Sequence, residues 1–184
     1  MNDTERSVPQ PVSGTPEHGS ISPMAWGDAF VSAPIPEGVW LCLDWGAARI
    51  GVAACDREGS LAYPVTTVAA KDAPEAALDR LVDDYEPAAV IVGLPLRLDG
   101  SWGIAAETIT AQAVALASRI APPVFLTDER MTTGEASRKL HGAGKNTKQQ
   151  RLLIDAQAAV GILDSVLTAR RAGRAVGWAV GSPV

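Results

Sequence analysis

From Val39 onward, runs that are apolar at nearly every position alternate with runs that are apolar only every third or fourth residue. The segments "VWLCLDWG", "RIGVAACD" and "LAYPVTTV" come first, separated by short breaks that contain glycine. Breaks of that length leave no room for a crossover, so these three strands are expected to form an antiparallel meander. "APEAALDRLVDDYE" follows as a helix with Ala77, Leu78, Leu81, Val82 and Tyr85 on one face. "PAAVIVGLP" reads as a continuously apolar strand. "GIAAETITAQAVALASRI" is a helix with Ile109, Ala113, Leu116 and Ile120 on one side, and "PPVFLTDE" is the next strand. Thr132 and Glu135 have capping-box spacing, which predicts a helix starting right after Arg130 and ended by Gly142 and Gly144. A last helix runs from about Lys148 to Arg171. Strands alternating with helices imply right-handed crossovers and parallel pairing, so the pattern describes an α/β domain: a mixed sheet with helices on its faces.

The flanks lack such periodicity. Residues 1–36, rich in Pro, Ser and Gly, read as a disordered leader within which Met24 is an alternative start, and 173–184 form a tail that the pattern does not place. The domain is expected over 37–172. With 184 residues, 47% of them apolar, there is material for one sizeable core and too little for two large lobes. No apolar run reaches the ~18 residues of a membrane span and no secretory signal opens the chain, so a cytoplasmic protein without a membrane partner is expected.

Cys42 and Cys55 lie in apolar runs without CxxC spacing and read as small buried hydrophobes. His18 and His141 provide neither a zinc pair nor a base for a nucleophile. The net charge of −5 is unevenly spread: acids dominate from Lys71 to Glu107, whereas from Arg138 to Arg174 eight bases face only Asp155 and Asp164. A basic third on an acidic protein suits either a phosphate-contacting edge or a set of solvated helix faces.

The carboxylates are more informative. In the first strand Trp40, Cys42 and Asp44 share one face while Leu41, Leu43 and Trp45 share the other. Both faces are apolar, as in a central strand, and the lone charge falls near the end, where sites in such sheets lie; Asp before Gly is also ordinary turn chemistry. Glu129 stands at the end of "PPVFLTDE", where it either serves a site or complements a helix N-terminus, and Asp128 competes with it for both roles. Asp155 shares a helix face with Leu152, Ala158, Ala159 and Ile162, a position that is expected to bury, whereas Asp164 is expected at that face's edge. A buried helical Asp needs a partner. Three carboxylates converging from two strand ends and a helix, with no imidazole or thiolate among them, are hard oxygen ligands for Mg²⁺ or Mn²⁺. Two such ions about 4 Å apart can activate water against a phosphodiester.

Four segments, "LDWGAARIGVA", "VIVGLPLRLDGSWG", "DERMTTGEA" and "IDAQAAVGILDSVL", resemble in order and spacing the YqgF or RuvX family of the ribonuclease H-like superfamily. The resemblance spans Leu43 to Leu167. It implies a ribonuclease H-like fold, with a mixed five-stranded sheet whose strands 1–3 are antiparallel and whose strands 4–5 run parallel to strand 1. It further implies metal-dependent phosphodiester hydrolysis by Asp44, Glu129 and Asp155 with two Mg²⁺ or Mn²⁺ ions. The substrate it implies is structured RNA, the 5′ leader of pre-16S rRNA in ribosome biogenesis, or branched DNA, with the protein acting as a monomer or homodimer. Trp45 departs from the family's usual Phe or Val, and "NTKQQRLL" before Asp155 is less basic than in many members.

Around those acids, Gly46 and Gly51 permit close backbone approach. Arg49 and Arg130 are suited either to bidentate phosphate contact or to an ion pair with a nearby acid, and Lys139, Lys145, Lys148 and Arg151 to tracking a nucleic-acid backbone. Trp102 either stacks on a base or packs in the ordinary way. Three other functions share parts of this pattern. A Holliday-junction resolvase uses the same chemistry on DNA as a dimer, an actin-like ATPase needs two lobes for which the chain is too short, and a non-catalytic nucleic-acid-binding module would not need its three acids.

Overall fold

The computed structural model of the chain describes residues 36–131, 148–174 and 176–180. Within them lie β1 (Trp40–Trp45), β2 (Arg49–Cys55), β3 (Ala62–Ala69), α1 (Glu75–Tyr85), β4 (Ala89–Leu94), α2 (Ile104–Ala117), β5 (Val124–Asp128), a 3₁₀ turn (Glu129–Met131), α3 (Lys148–Arg171) and β6 (Trp178–Val180). The sheet order is β3-β2-β1-β4-β5-β6. As the short breaks require, β1, β2 and β3 form an antiparallel meander, while β4 pairs parallel to β1 and β5 parallel to β4.

The sheet has six strands, not five. Trp178–Val180, within the stretch read as a tail, adds antiparallel to β5, with Leu126 opposite Trp178 and Val124 opposite Val180. Three residues are too few to display a strand period, and their place is secured by backbone pairing instead. Gly177 permits it, because a Cβ there would run into the carbonyl of Leu126.

Strand alternation sorts the core into two layers. Leu41, Leu43, Val52, Val90, Val92, Val124 and Leu126 face Leu78 of α1 and Ala106, Ile109, Ala113 and Leu116 of α2. Trp40, Cys42, Ala53, Cys55, Ala89, Ile91 and Phe125 face Ala159, Ile162, Leu163, Val166 and Leu167 of α3. β1 is therefore covered on both sides, as its two apolar faces require. At the outer edge, β2 and β3 shift register between Val52 and Ala53, and Pro64 sits on the edge strand, where a missing N–H does not break a second ladder. α3 begins and ends where the periodicity puts it, and Asp164 is exposed. The leader, the helix start at Thr132 and Glu135, and the glycines at 142 and 144 lie outside the described residues. Among the described residues no helix is long and apolar enough to cross a membrane.

Candidate active site

β1 delivers Asp44 to the face covered by α3, in line with Trp40 and Cys42. Across the antiparallel ladder Asp44 stands opposite Gly51 of β2. On the other side Leu43 is level with Val92, so one step further the parallel register brings Gly93 alongside Asp44, and Gly93 is level with Thr127 of β5. The carboxylate thus has a glycine on each neighbouring strand, in a sheet whose other positions are densely filled.

Gly93 explains how a second acid arrives. A Cβ at this position would lie 2.6 Å from Oε1 of Glu129 and 2.8 Å from Cδ1 of Ile162, so the Glu129 side chain and the α3 side chain occupy the space over it. Glu129 follows the last residue of β5, where alternation sends Asp128 to the Val124 and Leu126 side and turns Glu129 toward α3. Burial, then the charge of Asp44, then that of Asp128 push the Glu129 carboxyl up to about 7. The buried Cys42 thiol reports the same concentration of negative charge, since burial raises its pKa first and Asp44 and Glu129 raise it further.

The competition between Asp128 and Glu129 is resolved by direction. Asp128 is taken by Arg130, whose Nη2 donates to Oδ2 at 2.7 Å and whose Nε lies 3.1 Å from both carboxylate oxygens. The backbone N–H of Arg130 also donates to Asp128 Oδ1 at 2.9 Å. A third guanidinium contact, Nη1 to the Leu98 carbonyl at 3.1 Å, ties the β5 end to the loop between β4 and α2. Of the two readings for Arg130, the structure places it in the ion pair. Arg49 is exposed at the start of β2, after a tight turn in which the Gly46 N–H donates to the Arg49 carbonyl at 2.9 Å. Gly46 is needed there because a Cβ would sit 2.9 Å from that oxygen.

Asp155 lies on α3 two turns before Ile162. α3 also meets the 3₁₀ turn that contains Glu129. The side chains of Asp155, Lys148 and Arg151 lie outside the described residues, as do Lys139 and Lys145 altogether. Trp102 is partly buried against the α1 and α2 layer, the packing role. Sequence reasoning missed Gly93. The available signal was its position as the one non-apolar break in the "AVIVGL" strand, where a glycine often marks close approach by another group.

The described donors, Asp44 and Glu129, are hard carboxylate oxygens of the kind that suits a divalent cation, and the charge of Asp44 raises the pKa of Glu129. Among the described residues no cluster of three such side chains is formed, so a complete ligand set needs a further donor.

A family model described as "RuvX: Holliday junction resolvase" matches residues 38–169. The chain is 49% identical over 138 residues to a Cutibacterium acnes protein (74% of this chain, 86% of the relative). It is likewise 49% identical over 144 residues to a Streptomyces avermitilis protein (76% and 92%). Both relatives bear the name "Putative pre-16S rRNA nuclease". Among solved structures, T. thermophilus RuvC in complex with a Holliday junction substrate aligns with TM-score 0.48 and 15% identity, over 76% of this chain and 99% of that one.

Proposed function

The chain belongs to the RuvX Holliday junction resolvase family, and on that footing we propose that it is a nuclease that hydrolyses phosphodiester bonds in the 5′ leader of precursor 16S rRNA. The observation that carries the proposal is the charge coupling of Asp44 to Glu129, whose side chain lies over Gly93: two neighbouring carboxylates whose repulsion a cation would offset. Asp44 and Glu129, joined by Asp155 from α3, would hold Mg²⁺ or Mn²⁺. A bound pair of such ions supplies Lewis acidity toward the phosphodiester. Glu129 must give up its proton before it can serve as a ligand, so it couples metal affinity to pH near neutrality. Gly93 makes room for the Glu129 side chain beside Asp44, and Asp128, by fixing Arg130, keeps the neighbouring loop in place. Arg49 and the basic residues Lys139, Lys145, Lys148 and Arg151 would follow the nucleic-acid backbone.

The test is metal-titrated cleavage of a pre-16S rRNA fragment beside a DNA four-way junction, with wild-type protein and Asp44→Asn. RNA cleavage that requires Mg²⁺ or Mn²⁺ and is lost in the variant is expected. Undiminished cleavage by Asp44→Asn would sink the mechanism. Paired symmetric cuts in the junction, with the RNA left whole, would move the assignment to the resolvase activity in the family's description.

A further inference from the structure

The loop between β4 and α2 is tied down by several hydrogen bonds at its tip. The Gly100 N–H donates to the Arg97 carbonyl at 2.8 Å, and the Arg97 N–H to the Ser101 carbonyl at 3.0 Å. Asp99 Oδ1 accepts from the Ser101 N–H at 2.9 Å and from its hydroxyl at 2.6 Å. Gly100, at φ +86°, makes the reversal, and the Arg130 guanidinium lies against it while donating to the Leu98 carbonyl.

The side chain presented by this well-tied turn is Leu98, which is 97% exposed. Leu61, Ile104 and Val114, the other exposed large apolar residues among those described, are 63%, 80% and 45% exposed. A single exposed leucine is ordinary. This one differs in being held out on an anchored turn whose anchor, Arg130, is the residue next to Glu129. Its neighbours are of mixed charge, Arg97 and Asp99 in sequence and Arg130, paired with Asp128, against the turn, so the apolar tip itself is what suits insertion between stacked bases.

Building on the reading of the site as an RNA nuclease, we propose that Leu98 is a wedge that enters the base stack beside the scissile phosphate and opens it, so that the enzyme selects where in a paired region it cuts. Apolar side chains inserted between base steps unstack them. The wedge's role is therefore confined to substrates whose bases are stacked and paired.

The experiment uses the full chain in Mg²⁺ under single-turnover conditions. One RNA is a paired pre-16S leader fragment carrying 2-aminopurine next to the cut, and the other is the same sequence unpaired. With wild type, 2-aminopurine fluorescence in the paired RNA is expected to rise before product forms. Leu98→Ser is expected to abolish that rise and slow cleavage of the paired RNA by about tenfold, with the unpaired RNA cut as by wild type. Leu98→Phe restores both signals, and Leu61→Ser, at the hairpin on the opposite end of β2, changes neither. An unchanged melting temperature shows that each variant is folded. If Leu98→Ser cuts the paired RNA at the wild-type rate after the same fluorescence rise, the wedge is wrong while the nuclease reading stands. If wild type cuts neither RNA, the nuclease reading fails and the wedge fails with it.

Discussion

At the Trp40 end of β1 every group is enclosed. Trp40 is fully buried, its backbone N–H donates to Sγ of Cys55 at 3.2 Å, its indole N–H to the Pro36 carbonyl at 3.0 Å, and the Arg170 guanidinium lies 4.9 Å from the ring centroid. Four residues along the same strand and on the same face, Asp44 is half-buried, has glycines on both neighbouring strands, and raises the pKa of Glu129. One helix, α3, covers both ends, with Leu163 and Leu167 in the layer that buries Trp40 and Ile162 over Gly93. The contrast shows how a small domain accommodates unfavourable charge: packing at one end of the strand stabilises a fold whose other end holds two neighbouring carboxylates.

The two ends of β1 are expected to respond to substitution in opposite ways. Trp40→Ala is expected to cost about 3–5 kcal/mol of stability by denaturant titration, with cleavage by the remaining folded protein unchanged. Asp44→Asn is the converse: about a thousandfold loss of cleavage, roughly 4 kcal/mol in activation free energy, with no loss of stability. If Asp44→Asn instead destabilised the fold as Trp40→Ala does, the division between the two ends would be false.

Gly93→Ala lies between these cases. Its new methyl meets Glu129 Oε1 and Ile162 Cδ1, so about 1–3 kcal/mol of stability should be lost together with cleavage activity. Measuring both in one preparation shows whether Gly93 serves the placement of Glu129 as well as the packing of Ile162.

Glu129 supplies a pH signature. Its folded pKa of about 7 lies above the ordinary 4.5, so the unfolded chain releases this proton first. The stabilisation from holding the proton is complete below pH 4.5 and is lost as pH rises toward about 7. In chelator, the melting temperature of wild type should therefore fall across that window relative to Glu129→Gln, and Mg²⁺ affinity should rise across it. Parallel melting curves for the two proteins would refute the pKa shift. The smallest expected effect is Arg170→Ala, about 1 kcal/mol of stability and no change in cleavage.

Much of this was legible beforehand. The meander, the two parallel crossovers and the limits of α3 follow from apolar period and break length, because burial on one or two faces dictates those patterns directly. The position of Asp44, at the end of β1 on the face that α3 covers, was legible because strand alternation places it in line with Trp40 and Cys42. The choice between Asp128 and Glu129 came only from the family resemblance and not from the residue pattern, because adjacent residues at a strand end differ only in the face they take, and the 3₁₀ turn that fixes the face is not marked by composition. Arg130 was ambiguous for a related reason: its partner is two residues away and is met only once the chain turns. β6 was hidden by its brevity.

That last strand bears on the order in which the molecule is assembled. β5, whose end presents Glu129, keeps an open outer edge until a segment about fifty residues further along the chain arrives to pair with it. An unpaired edge is a template for other strands, so a chain interrupted after α3 would retain every proposed catalytic residue yet associate with its own kind before it could act. The three residues Trp178–Val180 therefore protect the sheet as it forms.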